Sequence, residues 1–479
     1  MSDTPVPGDS TPPATGRVGG DPRHDADEPR VERRAMLVTV AASIAVALIV
    51  VLLVATGVIG GTTNAGERHQ RVEDDRTAGA AEAAPQRPEI RDEEVEAVVA
   101  ARSRALAEHN VDAFVAPIDP TAGELIAEQR RLFANLALFP FAEARYTVSN
   151  QPPRSVSDSG RAAVMVVVSF VHRVEGVDPV AIAENYRWTF DRTSAGGPLW
   201  MTAVSTAPYG GVMYPMPWDQ TALVVERRPH VVLAAAVANK AEAATWADKA
   251  EAAARRDLDA WRGPRLPVDR FVVYVTPDRR TFDEIASTKG RGPAAGVCVS
   301  LAPLTLTDGK QTRQVGCRVV VDGAGKGFAT SDDAIFKQIV EHELGHAMVA
   351  GFAPAWTEHV SWVAEGFAES LPWSDPRMAN KYNPTARAYV NDGRFTGRLP
   401  VDGEIHSADP ATTSISYHLS MQAIRFLAEE FGTDKAHTFV AEVYRDASRL
   451  DAALTAATGL DRAAFERTWA RYVKDHPGS

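Results

Sequence analysis

Apolar and polar positions divide the 479-residue chain into five stretches. Residues 1–34 contain few large apolar side chains and are rich in Pro, Gly, Asp and Arg, a composition that predicts a disordered tail. Residues 35–59 carry no charged side chain, whereas residues 60–88 are polar and small, as expected of a stalk. Residues 89–207 and 220–475 combine periodic apolar segments with turns, which predicts two folded domains.

The uncharged stretch is long enough to cross a membrane. As a helix, its 25 residues would extend about 37 Å, against about 30 Å of bilayer hydrocarbon. A cleaved signal peptide is the alternative, but its apolar run is usually only about 7–15 residues long. Arg30, Arg33 and Arg34 precede the stretch, and the next Arg is Arg68. The positive-inside rule therefore predicts a single-pass protein of the cell membrane, with a cytoplasmic N-terminus and extracytoplasmic C-terminal domains.

The charge balance limits the partners. The chain has 51 Lys and Arg residues against 62 Asp and Glu residues, a net charge of −11. Nucleic-acid-binding proteins usually present a basic surface to phosphate, so nucleic acid is not expected as a partner. The apolar fraction of 45% is that of a globular protein and excludes a wholly disordered chain.

The first folded stretch, residues 89–207, places its helical patterns before its strand patterns. EEVEAVVAARSRALAEHN and ELIAEQRRLFANLALF have helical spacing, and four β-type runs follow them. This order predicts an α+β layer with helices on one face of an antiparallel sheet. It is similar to the cone-like fold of ketosteroid isomerase and nuclear transport factor.

Four polar residues of this stretch are candidates for chemistry: His109, His172, Glu184 and Tyr186. Their spacing is not that of metal ligands, and a single His on a strand is commonly a structural group. We therefore expect the domain to have a binding or spacing role, with catalysis as the alternative.

The two cysteines suggest a hairpin. Cys298 and Cys317 each lie in a short β-type run, and a polar turn separates the runs. A disulfide across the hairpin is expected outside the cytoplasm. Two buried free thiols are the alternative.

The sequence His342-Glu343-Leu344-Gly345-His346 lies in a segment with helical spacing of apolar residues. Two His side chains four residues apart project from the same helix face and can bind one Zn²⁺. Glu343, at the edge of that face, can take a proton from a water molecule at the metal. The alternative is a solvated polar face, which fits poorly because the segment is largely apolar.

A third ligand follows at a suitable distance. Eighteen residues separate His346 from Glu365, enough for a turn and a second helix to return. Glu365 can complete a three-ligand site with an open fourth position, which distinguishes a catalytic zinc site from a structural one. Glu369 lies one turn further on the same face and can hydrogen-bond the outer nitrogen of His342.

The HExxH sequence, the 18-residue spacing and the segment WVAEGFAE together resemble the gluzincin metallopeptidases, which include thermolysin and the aminopeptidase N-like enzymes. The similarity covers residues 220–475 and is greatest to the peptidase-MA-like group. It implies a mixed-sheet upper lobe, a helical lower lobe and a peptide or protein substrate. It also implies one Zn²⁺ per chain, with Glu343 as general base, Glu369 as outer partner and three ligands, namely His342, His346 and Glu365.

The same resemblance implies a donor to the oxyanion of the transition state. By the match of the segment SYHLSMQAIRFL, this donor is Tyr417, with His418 as the alternative and a core tyrosine as the structural interpretation. No Gly-x-Met-Glu-Asn segment precedes the zinc helix, which disfavours an aminopeptidase. The strand Arg318–Asp322 takes its place, and we expect it to pair with an extended peptide, as in an endopeptidase.

The sequence also predicts a surface loop near the site and leaves a second function open. Residues 375–410 are rich in Asp, Pro, Asn and Gly and are expected to form a loop over the cleft. The alternative function is that of a catalytically idle gluzincin fold serving as a binding or envelope-assembly module.

Overall fold

The computed structural model describes residues 89–149, 153–156, 161–206, 216–286, 294–301, 315–325, 333–354, 359–373 and 383–478. All of them belong to one compact unit, Ala83–Ser479. The predicted tail, membrane span and stalk lie outside the described residues. No helix within the described ranges has the length and apolarity needed to cross a bilayer.

The N-terminal part is an α+β layer, as predicted. Three helices come first: α1 (Asp92–Ala107), α2 (Val111–Val115) and α3 (Gly123–Leu136). Five strands follow: β1 (Phe141–Val148), β2 (Arg154–Ser155), β3 (Ala162–Val174), β4 (Ile182–Arg192) and β5 (Trp200–Thr206). They form an antiparallel sheet in the order β1-β3-β4-β5, with β2 paired to β3. Alternate residues of β4 are buried, because one face of the sheet packs on the helices.

The second part begins with a mixed sheet, which was also predicted. Its elements are α4 (Pro217–Gln220), β6 (Leu223–Arg227), β7 (Val231–Ala236), α5 (Lys240–Ala260), β8 (Phe271–Thr276), α6 (Arg279–Ala286), β9 (Gly296–Leu301) and β10 (Gly316–Asp322). The strand order is β6-β7-β8-β10-β9. Strands β7, β8 and β10 are parallel, and the outer strands β6 and β9 pair antiparallel to them.

The predicted substrate strand is an interior strand, so that expectation is wrong. Residues Arg318–Asp322 lie in β10, which hydrogen-bonds β8 on one side and β9 on the other. Both of its backbone edges are therefore occupied and cannot pair with a peptide. Among the described residues, the terminal strands of the sheet are β6 and β9, and β9 is the one next to β10.

Cys298 of β9 and Cys317 of β10 form a disulfide, with their Cα atoms 5.6 Å apart. Cys298 lies opposite Val319, and Cys317 lies opposite Ser300. The two cysteines are thus diagonal neighbours in the hairpin. Their disulfide attaches β9 covalently to β10, an interior strand of the sheet.

Both faces of the mixed sheet are buried. One face carries Leu233 and Val273 and packs on the alanines of α5 and on the helix Asp333–Ala350. The opposite face carries Val232 and Val272 and shares a hydrophobic core with the N-terminal part, including Trp188. Strands covered on both faces have continuous apolar runs, which accounts for the segments VVLAAA and FVVYVT.

The remainder of the second part is helical. Its helices are α7 (Asp333–Ala350), α8 (Ser361–Trp373), α9 (Pro384–Asn391), α10 (Asp402–Ile405), α11 (Pro410–Phe431), α12 (Thr433–Arg445), α13 (Leu450–Thr458) and α14 (Arg462–Asp475). The predicted loop 375–410 contains α9 and α10, and residues 374–382 lie outside the described residues. Helix α9 forms because the Asn383 side chain accepts from Ala386 N and Pro384 occupies the first position.

A buried ion pair joins the two parts. The Arg318 guanidinium donates to both carboxylate oxygens of Asp178 at 2.7 and 2.8 Å. Both side chains are almost fully buried. Asp178 also accepts from Val174 N, so its carboxylate has a third hydrogen bond. Arg318 is therefore part of the junction.

A polar cluster lies at the same junction and unites residues that the sequence presents as separate candidates. His172 Nε2 lies 2.6 Å from Glu184 Oε1, and the Trp218 indole N–H donates to Glu184 at 3.2 Å. The Tyr186 hydroxyl donates to Asp219 at 3.0 Å. His109 is not part of this cluster and lies beyond the end of α1 with a positive φ of 53°.

The junction cluster predicts a pH-dependent stability. Burial raises the pKa of Asp219 to about 7, and the charge of Glu184 adds to the rise. Since the unfolded carboxyl titrates near 4, the folded state binds the proton more tightly. We expect the free energy of unfolding to decrease as the pH rises from about 4 to about 7.

Denaturant unfolding of the purified protein at several pH values measures this dependence. Asp219→Asn removes the titrating group, so the variant should lose less stability than the wild type over the same pH range. Parallel pH profiles for the two proteins would show that the proton is not bound at Asp219.

Candidate metal centre

Helix α7 presents two histidines to the same space. His342 and His346 lie one turn apart, and both are partly buried. On the opposite side of the helix, Leu344 and Met348 are fully buried in the core. The apolar side therefore fixes the rotation of α7 and turns the histidines toward α8.

Helix α8 returns alongside and brings a carboxylate to the histidines. Glu365 Oε2 lies 3.2 Å from His342 Nε2 and 3.4 Å from His346 Nε2. The two Nε2 atoms are 3.2 Å apart. Among the described residues, these three form the cluster of His, Cys, Asp and Glu side chains that could hold a metal ion.

The donor set fits a zinc ion. Zinc–nitrogen and zinc–oxygen bonds of about 2.0–2.2 Å place tetrahedral ligands about 3.3–3.6 Å apart, close to the three separations observed here. The outer Nδ1 atom of His342 faces the Glu369 carboxylate, and that of His346 faces the Tyr444 hydroxyl. With the proton of each ring on Nδ1, both Nε2 atoms can bind a metal. When both Nε2 atoms are unprotonated, they and the carboxylate repel one another unless a metal ion lies between them.

Glu369 occupies the predicted outer position. Its Oε2 lies 3.0 Å from His342 Nδ1, while its Oε1 accepts from Gln338 Nε2 at 3.4 Å. This contact fixes the tautomer in which Nε2 of His342 is free to bind a metal. Glu365 and Glu369 lie on one helix face, yet they contact opposite nitrogens of the same imidazole.

The electrostatics of the cluster favour a bound cation. Burial lowers the pKa of His342, but hydrogen bonds with Glu365 and Glu369 outweigh it and raise this pKa well above its usual value. Burial raises the pKa of Glu365, but His346 and His342 outweigh it and lower that pKa well below its usual value. The carboxylates thus attract positive charge at the position where the three ligand atoms meet.

Glu343 is buried beside the proposed ligands and against strand β9. Burial raises its pKa above the usual value for Glu, although His342 and His346 oppose the rise. A Cβ atom on Gly296, the first residue of β9, would lie only 2.8 Å from Glu343 Cγ. Glycine at this position therefore allows the strand to approach the predicted general base.

Tyr417 of α11 lies at the site. Its ring stacks on His342 with 5.9 Å between centroids and 19° between planes. Burial raises the pKa of Tyr417, and its hydrogen bond to the Glu365 carboxylate raises it further. The hydroxyl therefore remains protonated at neutral pH and can donate. His418 is buried on the same helix, and burial lowers its pKa to about 4.

Two residues near the site were not predicted from the sequence. The Tyr444 hydroxyl of α12 lies 3.4 Å from His346 Nδ1. Its ring contacts the ring of His359, with 4.8 Å between centroids. Nothing in the spacing of Tyr444 indicates this position, because it lies 98 residues beyond His346.

Glycines at two positions of the motifs allow the helices to pack closely. A Cβ atom on Gly345 would lie 2.7 Å from Leu371 Cδ1 and 3.1 Å from Ala368 Cα. A Cβ atom on Gly366 would lie 2.4 Å from the backbone carbonyl oxygen of Ser420. Helix α8 is thus held between α7 and α11, and the glycine next to Glu365 sets its distance from α11.

Gly366→Ala should therefore disturb both the fold and the site. The new methyl group would overlap a backbone atom, and such overpacking typically costs about 1–3 kcal/mol of stability. Because the neighbouring Glu365 would move with α8, zinc affinity should also decrease. Denaturant unfolding and zinc titration measure the two effects.

Gly403→Ala in α10 is the matched control, since a Cβ atom there meets nothing within 4 Å. It should leave both quantities nearly unchanged. If both variants showed the same stability and the same zinc affinity, close packing at Gly366 would not be needed for the fold or the site.

Comparisons with known proteins give only a distant similarity to solved structures. No protein-family model matches the sequence, and a search of curated proteins finds no match. Two solved structures of an M1 zinc metallopeptidase from Deinococcus radiodurans are similar, one of them a mutant bound to a Tyr-Ser-Ala substrate. The identity is 12% and the TM-score is 0.30, with 69% of this chain covered. The chain spans 61% of the length of those proteins. A similarity at this TM-score does not indicate a function.

Proposed function

We propose that the protein is a zinc-dependent peptidase. The observation that carries the proposal is the convergence of His342 Nε2, His346 Nε2 and Glu365 Oε2 at separations of 3.2–3.4 Å, with Glu343 buried next to them. Zinc held by these three residues would supply a Lewis acid that polarises a peptide carbonyl and acidifies water.

Three side chains of the protein would carry out the remaining functions. Glu343 accepts a proton from the attacking water and can pass it to the leaving amine, a function for which its raised pKa is suitable. Tyr417 keeps its hydroxyl proton at neutral pH and donates a hydrogen bond to the developing oxyanion. Glu369 holds His342 in the metal-binding tautomer.

The substrate is proposed to bind as an extended peptide along β9. This strand is one of the two terminal strands of the described sheet, and its first residue, Gly296, lies against Glu343. A peptide added to this edge would pass the general base with its backbone hydrogen-bonded to the sheet. Recognition through the backbone does not require a free terminus, which favours endopeptidase action.

The proposed location is the extracytoplasmic side of the cell membrane, with residues 35–59 as the anchor. The proposal is supported by the uncharged stretch, the arginines before it and the disulfide between Cys298 and Cys317.

A peptide-library digestion with the purified protein tests the function. We expect cleavage that is lost with a chelator and restored by Zn²⁺. Peptides with an acetylated N-terminus and an amidated C-terminus should be cleaved as well as free peptides. Stoichiometric zinc without any cleavage would favour the catalytically idle binding module, and cleavage only of free N-termini would contradict the endopeptidase assignment.

A further inference from the structure

The two histidines of α7 have different outer partners. The outer nitrogen of His342 faces the carboxylate of Glu369, whereas that of His346 faces the hydroxyl of Tyr444. Tyr444 lies on α12, which packs on α8 and α11, and its side chain is buried. The phenol thus reaches the site from an element that carries none of the proposed ligands.

The rest of the Tyr444 side chain is fixed by packing. Its ring contacts the His359 ring at 4.8 Å between centroids, and its body belongs to the core of the helical part. The hydroxyl is therefore held in place independently of any metal. The hydroxyl can accept a hydrogen bond from a proton on Nδ1, and that arrangement leaves Nε2 of His346 free to bind a metal.

A neutral partner also suits the charge of the site. Three carboxylates, from Glu343, Glu365 and Glu369, already surround the position where the ligand atoms meet. A further carboxylate behind His346 would add negative charge and make the metal a weaker Lewis acid. A phenol orients the imidazole without adding charge.

We propose that Tyr444 is a positioning residue that holds His346 in its metal-binding tautomer, as the neutral counterpart of Glu369. The inference rests on the proposed function, since it assigns a further residue to the same site. It concerns binding of the metal and can be tested without a substrate.

The test compares Tyr444→Phe with Tyr444→Leu and uses Zn²⁺ itself as the probe, in competition with a chromophoric chelator. The Phe variant keeps the ring contact with His359 and loses only the hydroxyl. We expect its zinc affinity to fall by about 10–100-fold, the effect usual for removing such a partner. Its midpoint of thermal unfolding without metal should stay close to that of the wild type. Tyr472→Phe removes a hydroxyl that bonds Glu429 and should bind zinc as the wild type does.

The possible outcomes separate the two proposals. Wild-type affinity in Tyr444→Phe, with loss only in Tyr444→Leu, would show a packing role and overturn the inference. A lowered affinity in a protein that cleaves no peptide would support the positioning role while contradicting the peptidase assignment. A wild-type protein that binds no zinc would contradict both.

Discussion

Replacing Glu343 with Gln is expected to reduce peptide hydrolysis by at least about 10²-fold while zinc stays near one ion per chain. The amide has almost the same shape as the carboxylate, so the new side chain should occupy the same buried position beside Gly296. It cannot accept the proton from water, and this step is then left to solvent. The ligand atoms belong to His342, His346 and Glu365 and are untouched by the change.

Steady-state kinetics and metal analysis of the same preparation measure this effect. Glu429→Gln, at an exposed position of α11, changes the charge equally and should retain full activity. Loss of zinc from Glu343→Gln would mean that Glu343 is itself a ligand. Retention of full activity would mean that another group accepts the proton.

The second large effect separates Glu365 from Glu369. Glu365→Ala leaves only the two imidazoles at the centre, so we expect both zinc and activity to be lost. Glu369→Ala leaves all three proposed ligands in place and removes only the contact with His342 Nδ1. Zinc affinity should then fall by about 10–100-fold, and activity should return when zinc is supplied in excess.

Zinc titration of the two purified variants, together with activity at increasing zinc concentration, provides the measurement. Both variants should remain folded, because the two carboxylates line the partly buried site and not the apolar core. Equal losses of affinity, or the greater loss in Glu369→Ala, would reverse the assignment of ligand and outer partner.

The ligand geometry could be predicted from the sequence because it depends on local periodicity. Residues four apart on a helix lie on the same face whatever surrounds the helix, and this relation fixes His342 relative to His346 and Glu365 relative to Glu369. The α+β class and the mixed sheet were also predictable, since helix and strand periods differ and strands buried on both faces have continuous apolar runs.

Which strand of the hairpin lies at the edge of the sheet could not be predicted, because pairing of strands is not a local property. Both members of the hairpin at Cys298 and Cys317 are apolar and short, and the sequence does not say which of them also pairs with β8. The parallel pairing of β10 with β8 places Arg318 inside the sheet and beside Asp178, leaving β9 at the edge.

The sequence by itself determined three candidate ligands and a general base, since all four lie on two neighbouring helical segments. Only the tertiary structure placed Tyr444 behind His346 and joined His172, Glu184, Tyr186 and Asp219 in one buried cluster. These contacts join residues on different elements, and the packing of those elements is set by the whole core. Periodicity identifies which side of a helix or strand is buried, but the identity of the neighbour across the core depends on how all the elements pack together.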